Sequence, residues 1–261
     1  METELPGGLG NAGRVVLVDG TVRRPKSPHR ASLLALLSHL NAAGFSAPVF
    51  AGEDERGRDM FEFIAGDVPV PPFPAWSLAQ PAIESVGVLL RSYHEAVASF
   101  RGPFPAGWSA ELTDPRGDTL ICHNDVCPEN VVFERQRATA LIDFDFAAPG
   151  RPLWDVASCA RLWILMRDDP SDDEFRSRLV MFRAFVDAYG VAKSDRDELV
   201  DAVIDSRRAG GSFVRRRAEA GEPAFAAMWA KRGSVEGDRR ILEWLIKKRP
   251  LMLASLQKPR L

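Results

Sequence analysis

Three polar side chains near the middle of the chain have the types and spacing that phosphoryl transfer requires. Asp125 and Asn130 lie five residues apart after an apolar segment, and Asp143 follows a second apolar segment, residues 140–142. A carboxylate beside an acceptor hydroxyl can orient it and accept its proton, which is the catalytic role predicted for Asp125. Mg²⁺ prefers carboxylate and amide oxygens, so Asn130 and Asp143 are predicted to be metal ligands facing nucleotide phosphates.

A histidine precedes Asp125 by two residues, so the loop has the pattern His-x-Asp-x-x-x-x-Asn of the protein-kinase catalytic loop. Asp143 lies in the sequence Asp-Phe-Asp, where protein kinases have Asp-Phe-Gly. His123 is expected to support the loop rather than to take part in the chemistry. A single Asp or Asn in a loop is usually a turn former or cap, but the loop and its flanking apolar strands together favour a kinase-type site.

The segments Cys122–Phe133, Leu141–Ala147 and Leu153–Ala157 resemble the aminoglycoside phosphotransferase family, and the resemblance extends over most of the chain from Gly7. It implies a two-lobed, protein-kinase-like α+β fold, with a small β-rich N-terminal lobe and a larger, mostly helical C-terminal lobe. It implies ATP and Mg²⁺ as cofactors and a small-molecule hydroxyl as substrate, in an antibiotic or a metabolite. Asp155, in the third segment, is implied to brace the catalytic loop. The motifs are specific for the superfamily and do not separate its acceptors.

The lobes are expected to span residues 1–67 and 68–261, with the proline-rich segment 68–74 at their junction. In the first lobe, a glycine-rich loop over residues 7–13 precedes a strand at 14–18, a tight turn at 19–20 and a return strand at 21–25. Gly8 and Gly10 are predicted to cover the phosphates of ATP. An ordinary hairpin loop is the alternative.

Kinases commonly place a lysine on the return strand to reach the phosphates, and this strand offers Arg23 and Arg24 instead. Because side chains alternate along a strand, only one of the two can face the cleft. Arg23, next but one to Pro25, is favoured. Arginine keeps the positive charge and adds a planar fork that suits phosphate.

The helix expected over residues 27–43 lacks the glutamate that pairs with this cation in active kinases, because no acidic residue lies between Asp19 and Glu53. His29, Arg30 or an acid from elsewhere in the chain would have to substitute, or the site is degenerate. The second hypothesis is therefore a catalytically weak kinase-fold protein that binds a ligand or confers immunity or resistance.

A further strand is predicted over residues 60–64. Phe63 and Ile64, at its end, are predicted to lie at the hinge between the lobes, where backbone groups contact adenine. The alternative is that they belong to the core of the strand. Helices are expected in the second lobe at about 78–100, 154–166, 173–189, 195–208, 210–220 and 236–256. His94, on the first of these, is interpreted as a core histidine.

Residues 206–261 contain 14 basic and 5 acidic side chains, although the whole chain has a net charge of −2. If these basic helices line the cleft, they favour an anionic or neutral acceptor over a polycationic aminoglycoside. If they face away, they are ordinary solvated surfaces. Nucleic-acid binding is disfavoured because the sequence has no aromatic-rich groove or known motif for it.

The three cysteines have neither metal-ligand spacing nor the pattern of a disulfide framework, which fits a reducing compartment. The acidic N-terminus lacks the apolar centre of a signal peptide. No apolar run approaches the ~18 residues that a membrane span needs. The sequence therefore predicts a cytoplasmic protein without a membrane partner.

Overall fold

The structure is a computed structural model that describes residues 2–5, 13–102, 107–165 and 171–257. Its first part is an antiparallel sheet of five strands in the order β1-β2-β3-β5-β4. These strands are β1 (Thr3–Glu4), β2 (Val16–Val18), β3 (Thr21–Arg24), β4 (Phe50–Glu53) and β5 (Asp59–Glu62). The turn predicted between β2 and β3 is present, because Asp19 and Gly20 have φ angles of 48° and 76°, which suit a two-residue hairpin connection.

One helix, α1 (Arg30–Ala42), packs against this sheet. Its leucines recur every three to four residues, so they form one apolar face. Leu33, Leu36 and Leu40 are buried in the same core as Phe61 of β5. This packing determines which face of β5 and of the neighbouring strand β3 packs on the helix.

Two antiparallel strand pairs form the centre of the second part. Strand β6 (Leu120–Cys122) pairs with β9 (Ala148–Gly150), and β7 (Val131–Glu134) pairs with β8 (Arg137–Leu141). The loop between β6 and β7 carries Asp125 and Asn130, and the loop between β8 and β9 carries Asp143. The strand pairing therefore brings the two loops to the same end of the structure.

The rest of the second part is mostly helical. Its helices are α2 (Gln80–Val97), α3 (Pro152–Ala160), α4 (Asp172–Tyr189), α5 (Arg196–Glu219), α6 (Pro223–Lys231) and α7 (Ser234–Gln257). A π-helical segment, Arg161–Leu165, continues from α3, and short 3₁₀ turns cover Ala75–Leu78, Pro128–Asn130 and Lys193–Asp195. No helix of the described residues has the length and apolar character to cross a bilayer.

The first and second parts are joined through a short bridge between Asp67 and Phe133 of β7. The Asp67 N–H donates to the Phe133 carbonyl at 2.8 Å, and the Phe133 N–H donates back at 2.9 Å. Gly66 precedes this bridge with a φ of +149°, and a Cβ there would lie 2.5 Å from Cγ1 of Val132. A glycine is thus required where the chain crosses from one part to the other.

Two expectations for the C-terminal helices were wrong. Residues 195–208 and 210–220 belong to one continuous helix, α5, and α6 was not predicted at all. Gly210 and Gly211 lie where the second of these helices was expected to begin, and each glycine costs a helix interior about 0.5–1 kcal/mol relative to alanine. Both glycines are buried within α5, and neighbouring charged side chains occupy the space that a Cβ would fill.

Candidate active site

The loop between β6 and β7 brings Asp125 and Asn130 together. The side-chain amide of Asn130 donates to the Asp125 carbonyl at 2.9 Å and to Asp125 Oδ2 at 3.0 Å. Asn124 has a positive φ of 65°, which turns the chain just before Asp125. The Ile142 N–H donates to the Asn130 carbonyl at 3.0 Å, so this loop is joined to the one that carries Asp143.

Asp125 and Asp143 lie close enough to affect each other electrostatically. Burial raises the pKa of Asp125 to about 8, and the negative charge of Asp143 adds to that rise. Arg161 and the hydrogen bond from Asn130 act in the opposite direction but do not offset it. A cation bound at Asp143 would remove the repulsion and so lower the pKa of Asp125.

Arg24, not Arg23, is the arginine that reaches Asp143 and the neighbouring Asp145. Nη1 of Arg24 lies 3.2 Å from Oδ1 of Asp143, and its Nη2 pairs with Asp145. Burial alone would lower the pKa of Arg24, but the two aspartates hold it above its ordinary value. Arg23 instead lies 3.7 Å from Asp54. The expectation that Arg23 faces the cleft and Arg24 faces away is therefore corrected.

Strand register explains this orientation. On β3, Val22 pairs with Phe61 and Arg24 pairs with Asp59, so Arg24 shares the sheet face that packs on α1. Arg23 pairs with Met60 on the other face. The position of Pro25, which favoured Arg23, does not determine which arginine faces Asp143.

Helix α1 carries a basic residue that pairs with an acidic residue of the sheet, whereas the corresponding helix of an active kinase is expected to carry a glutamate. Helix α1 begins with Arg30, whose Nε donates to Oδ1 of the buried Asp59 at 2.8 Å. Arg24 is held from the other part of the structure, by Asp143 and Asp145. Sequence reasoning did not single out Asp145, although it occupies the glycine position of the kinase Asp-Phe-Gly motif.

Asp155 lies at the base of the loop between β6 and β7 and is completely buried. Its carboxylate accepts hydrogen bonds from the His123 N–H at 2.7 Å, the Asn124 N–H at 2.8 Å and His94 Nε2 at 3.1 Å. Burial alone would raise the pKa of Asp155, but these donors hold it below its ordinary value. His94 is buried and also bonds the Tyr189 hydroxyl at 2.8 Å, so its place is in this support rather than beside a substrate.

His123 ties the two loops to each other. Its Nδ1 accepts from the Asp125 N–H at 3.3 Å, and its Nε2 lies 3.0 Å from the Ile142 carbonyl, to which it donates. Burial lowers the pKa of His123, in keeping with a neutral ring that has one donor and one acceptor. The ring packs against Phe144 with centroids 4.5 Å apart.

The remaining predicted site residues lie in the first part or outside the described residues. The Phe63 N–H donates to the Gly20 carbonyl at 3.1 Å, and Phe63 is 42% exposed. Ile64 is half-buried beside it. Strand core does not account for an exposed phenylalanine at the end of the sheet. Gly8 and Gly10 lie outside the described residues.

Comparisons with known proteins bear on this arrangement. Residues 104–199 match the phosphotransferase enzyme family. The trifolitoxin immunity protein of Rhizobium leguminosarum bv. trifolii is 30% identical over 253 residues, which cover 91% of this chain and 92% of that protein. A homoserine kinase of Brucella anthropi is 28% identical over 158 residues, which cover 60% of this chain and 42% of the kinase.

Two solved structures have the same fold at low sequence identity. A choline/ethanolamine kinase family protein from Mesorhizobium loti superposes with a TM-score of 0.65 at 16% identity, covering 98% of this chain and 92% of that one. The GDP complex of aminoglycoside 2'-phosphotransferase-IIIa gives 0.56 at 17% identity, covering 96% and 93%. The predicted kinase-like α+β fold is confirmed. The chain belongs to the phosphotransferase enzyme family.

Proposed function

We propose that the protein is an ATP- and Mg²⁺-dependent phosphotransferase that transfers the γ-phosphate to a hydroxyl group of a small molecule. One observation carries this proposal. Asp125, held by Asn130, lies within electrostatic range of Asp143, while Arg24 from the sheet reaches Asp143 across the cleft. Phosphoryl transfer needs this combination of a base, oxygen ligands and a cation more than it needs covalent chemistry.

Asp125 is the residue proposed to act on the acceptor. The hydrogen bond from Asn130 to Oδ2 fixes the plane of its carboxylate. His123 accepts a bond from the Asp125 N–H, and Asp155 holds the two residues before it. A carboxylate fixed in this way can orient an acceptor hydroxyl and take its proton as the phosphate is transferred.

The residues present suit Mg²⁺. Asn130 and Asp143 would hold it through hard oxygen atoms, and the guanidinium of Arg24 against Asp143 already indicates that positive charge is favourable there. The described residues contain no group of three His, Cys, Asp or Glu side chains arranged for a metal, so phosphate oxygens and waters would complete the coordination. When bound, Mg²⁺ neutralises the charge of the β- and γ-phosphates.

The N-terminal lobe, residues 1–67, is proposed to hold the nucleotide. Arg24 takes the phosphate-binding role first expected of Arg23, because its side chain is the one that faces Asp143. Phe63 and Ile64 remain proposed as hinge residues beside adenine, and Gly8 and Gly10 as the loop over the phosphates. A related fold that binds GDP supports a nucleotide in this cleft.

The arginine pair tests this proposal. Arg24→Ala is expected to raise the KM for ATP and to lower kcat/KM by at least about tenfold, or ~1.4 kcal/mol, because the phosphates lose a charged partner. Arg23→Ala is the matched control and should change little, since Arg23 faces Asp54. Steady-state kinetics against ATP would check both. A severe defect in Arg23→Ala with a mild one in Arg24→Ala would count against the assignment.

A catalytically weak, ligand-binding immunity or resistance protein is the second candidate. Two observations favour it: the 30% identity to the trifolitoxin immunity protein, and the absence of an acidic residue on α1. The retention of Asp125, Asn130 and Asp143 favours the enzyme. Mg²⁺-dependent turnover of ATP with an acceptor separates the two candidates.

A further inference from the structure

Three arginines from separate elements of the second part lie near one another, and one of them, Arg161, also lies near the proposed catalytic base. Arg161 begins the π-helical segment after α3, Arg207 lies in α5, and Arg232 follows α6. Arg161 is 7% exposed, Arg207 is 1% exposed, and Arg232 is half-buried. Arginine is rarely buried to this degree unless it is paired.

The paired glycines of α5 make the space that these side chains occupy. A Cβ on Gly210 would lie 3.2 Å from Nη1 of Arg161, and one on Gly211 would lie 2.6 Å from Nη1 of Arg207. Each glycine in a helix interior lowers the stability of the helix relative to alanine, so two neighbouring glycines lower it further. They lie at the position where the guanidinium groups approach the helix backbone.

The negative charges nearby do not balance the three arginines. Arg207 forms an ion pair with Asp238. Among the described residues, Arg161 has neither a hydrogen bond nor an ion pair, and its buried Nε is without a partner. Burial and the repulsion of Arg207 and Arg232 lower the pKa of Arg161 to about 10. An unpaired, buried cation is costly, so Arg161 is expected to have a partner outside the described residues, and a bound ligand can supply one.

The position of Arg161 relative to the site indicates where that partner lies. Arg161 is close enough to Asp125 to lower its pKa. On the same helix as Arg207, Phe213 packs against Phe146 of the Asp143 loop, with ring centroids 5.3 Å apart. Helix α5 therefore contacts the loop that carries Asp143, and Arg161 packs against the same helix at Gly210.

We propose that Arg161, with Arg207 and Arg232, binds a carboxylate on the acceptor, so that the substrate is a small hydroxy acid whose hydroxyl lies at Asp125. This inference rests on the proposed function, because it names the substrate class of that site. A guanidinium binds a carboxylate through two parallel hydrogen bonds, which would satisfy Arg161. A polycationic acceptor would be repelled by the same three side chains.

Calorimetry with two hydroxy acids tests the proposal: glycerate and gluconate, compared with their uncharged counterparts glycerol and sorbitol. Wild-type protein is expected to bind at least one acid at least about tenfold more tightly than its counterpart. Arg161→Gln should weaken the binding of that acid at least about tenfold. Arg208→Gln is the control, because Arg208 follows Arg207 on α5 but is exposed and pairs with Asp205.

Stability measurements exclude a purely structural role. Because Arg161 is buried and has no hydrogen-bond or ion-pair partner among the described residues, Arg161→Gln should leave the Tm of the ligand-free protein unchanged or raise it. Arg232→Gln, at a half-buried position, provides a second variant with weaker acid binding. Failure of wild type to bind either acid, or equal binding by wild type and Arg161→Gln, would overturn the proposal. Failure of the proposed phosphotransferase function would be distinguishable from this result. In that case the wild-type protein would not bind Mg·ATP, although its binding of the acid would still depend on Arg161.

Discussion

Replacing Asp125 with alanine is expected to lower kcat by about 10²- to 10⁴-fold, the range that removal of a general base usually gives. The affinity for Mg·ATP should stay near the wild-type value, because Asp125 is proposed to contact the acceptor hydroxyl and not the phosphates. Its carboxylate is positioned by Asn130 at 3.0 Å, and the support from Asp155 does not depend on it. Steady-state kinetics and calorimetry would measure the two effects. Near-wild-type turnover in the variant would contradict the assignment.

The same residue predicts a dependence of stability on pH. In the folded protein, burial and then the charge of Asp143 raise the pKa of Asp125 from its ordinary value of 3.8 to about 8. The unfolded chain therefore releases this proton first, and the contribution of Asp125 to stability is lost as pH rises through that interval. Asp125→Asn should raise the Tm by an amount that grows up to about pH 8 and then levels off. A gain independent of pH would show that Asp125 is not protonated in the folded state.

Asp143→Asn is expected to weaken Mg·ATP binding by at least about tenfold, or ~1.4 kcal/mol, because a formal charge facing the metal is lost. Arg24 would keep its pairing with Asp145, so the sheet should remain docked and the Tm should change little. Asn130→Ala should cause a smaller defect, since it removes a neutral ligand. Calorimetry with and without Mg²⁺ would separate metal loss from nucleotide loss. Unchanged Mg·ATP affinity in Asp143→Asn would count against Asp143 as a ligand.

Local sequence patterns predicted much of the fold. The Asp19-Gly20 turn, the leucine face of α1 and the apolar strands around the catalytic loop are all encoded by neighbouring residues. The loop that carries Asp125 and Asn130 is equally local, because five residues and two short strands define it. Such features are set by turn chemistry and periodicity, and they need no knowledge of distant contacts.

The features that sequence reasoning missed depend on contacts between distant segments. Arg24 rather than Arg23 reaches Asp143 because β3 is aligned against β5, and a shift of one residue would exchange the two faces. Gly210 lies inside a continuous helix, where its missing side chain leaves room for Arg161, which is remote in sequence. Neither the partner of Arg24 nor the absence of one for Arg161 among the described residues follows from local pattern.

The most direct measurement is the Mg²⁺-dependent appearance of a phosphorylated product, detected by mass spectrometry after incubation with ATP and a library of small hydroxyl compounds. Wild-type protein is predicted to phosphorylate at least one compound, and the product should disappear in Asp125→Ala and when Mg²⁺ is removed. If no product forms and calorimetry detects no binding of Mg·ATP to the wild-type protein, the phosphotransferase assignment is contradicted and the ligand-binding candidate takes its place.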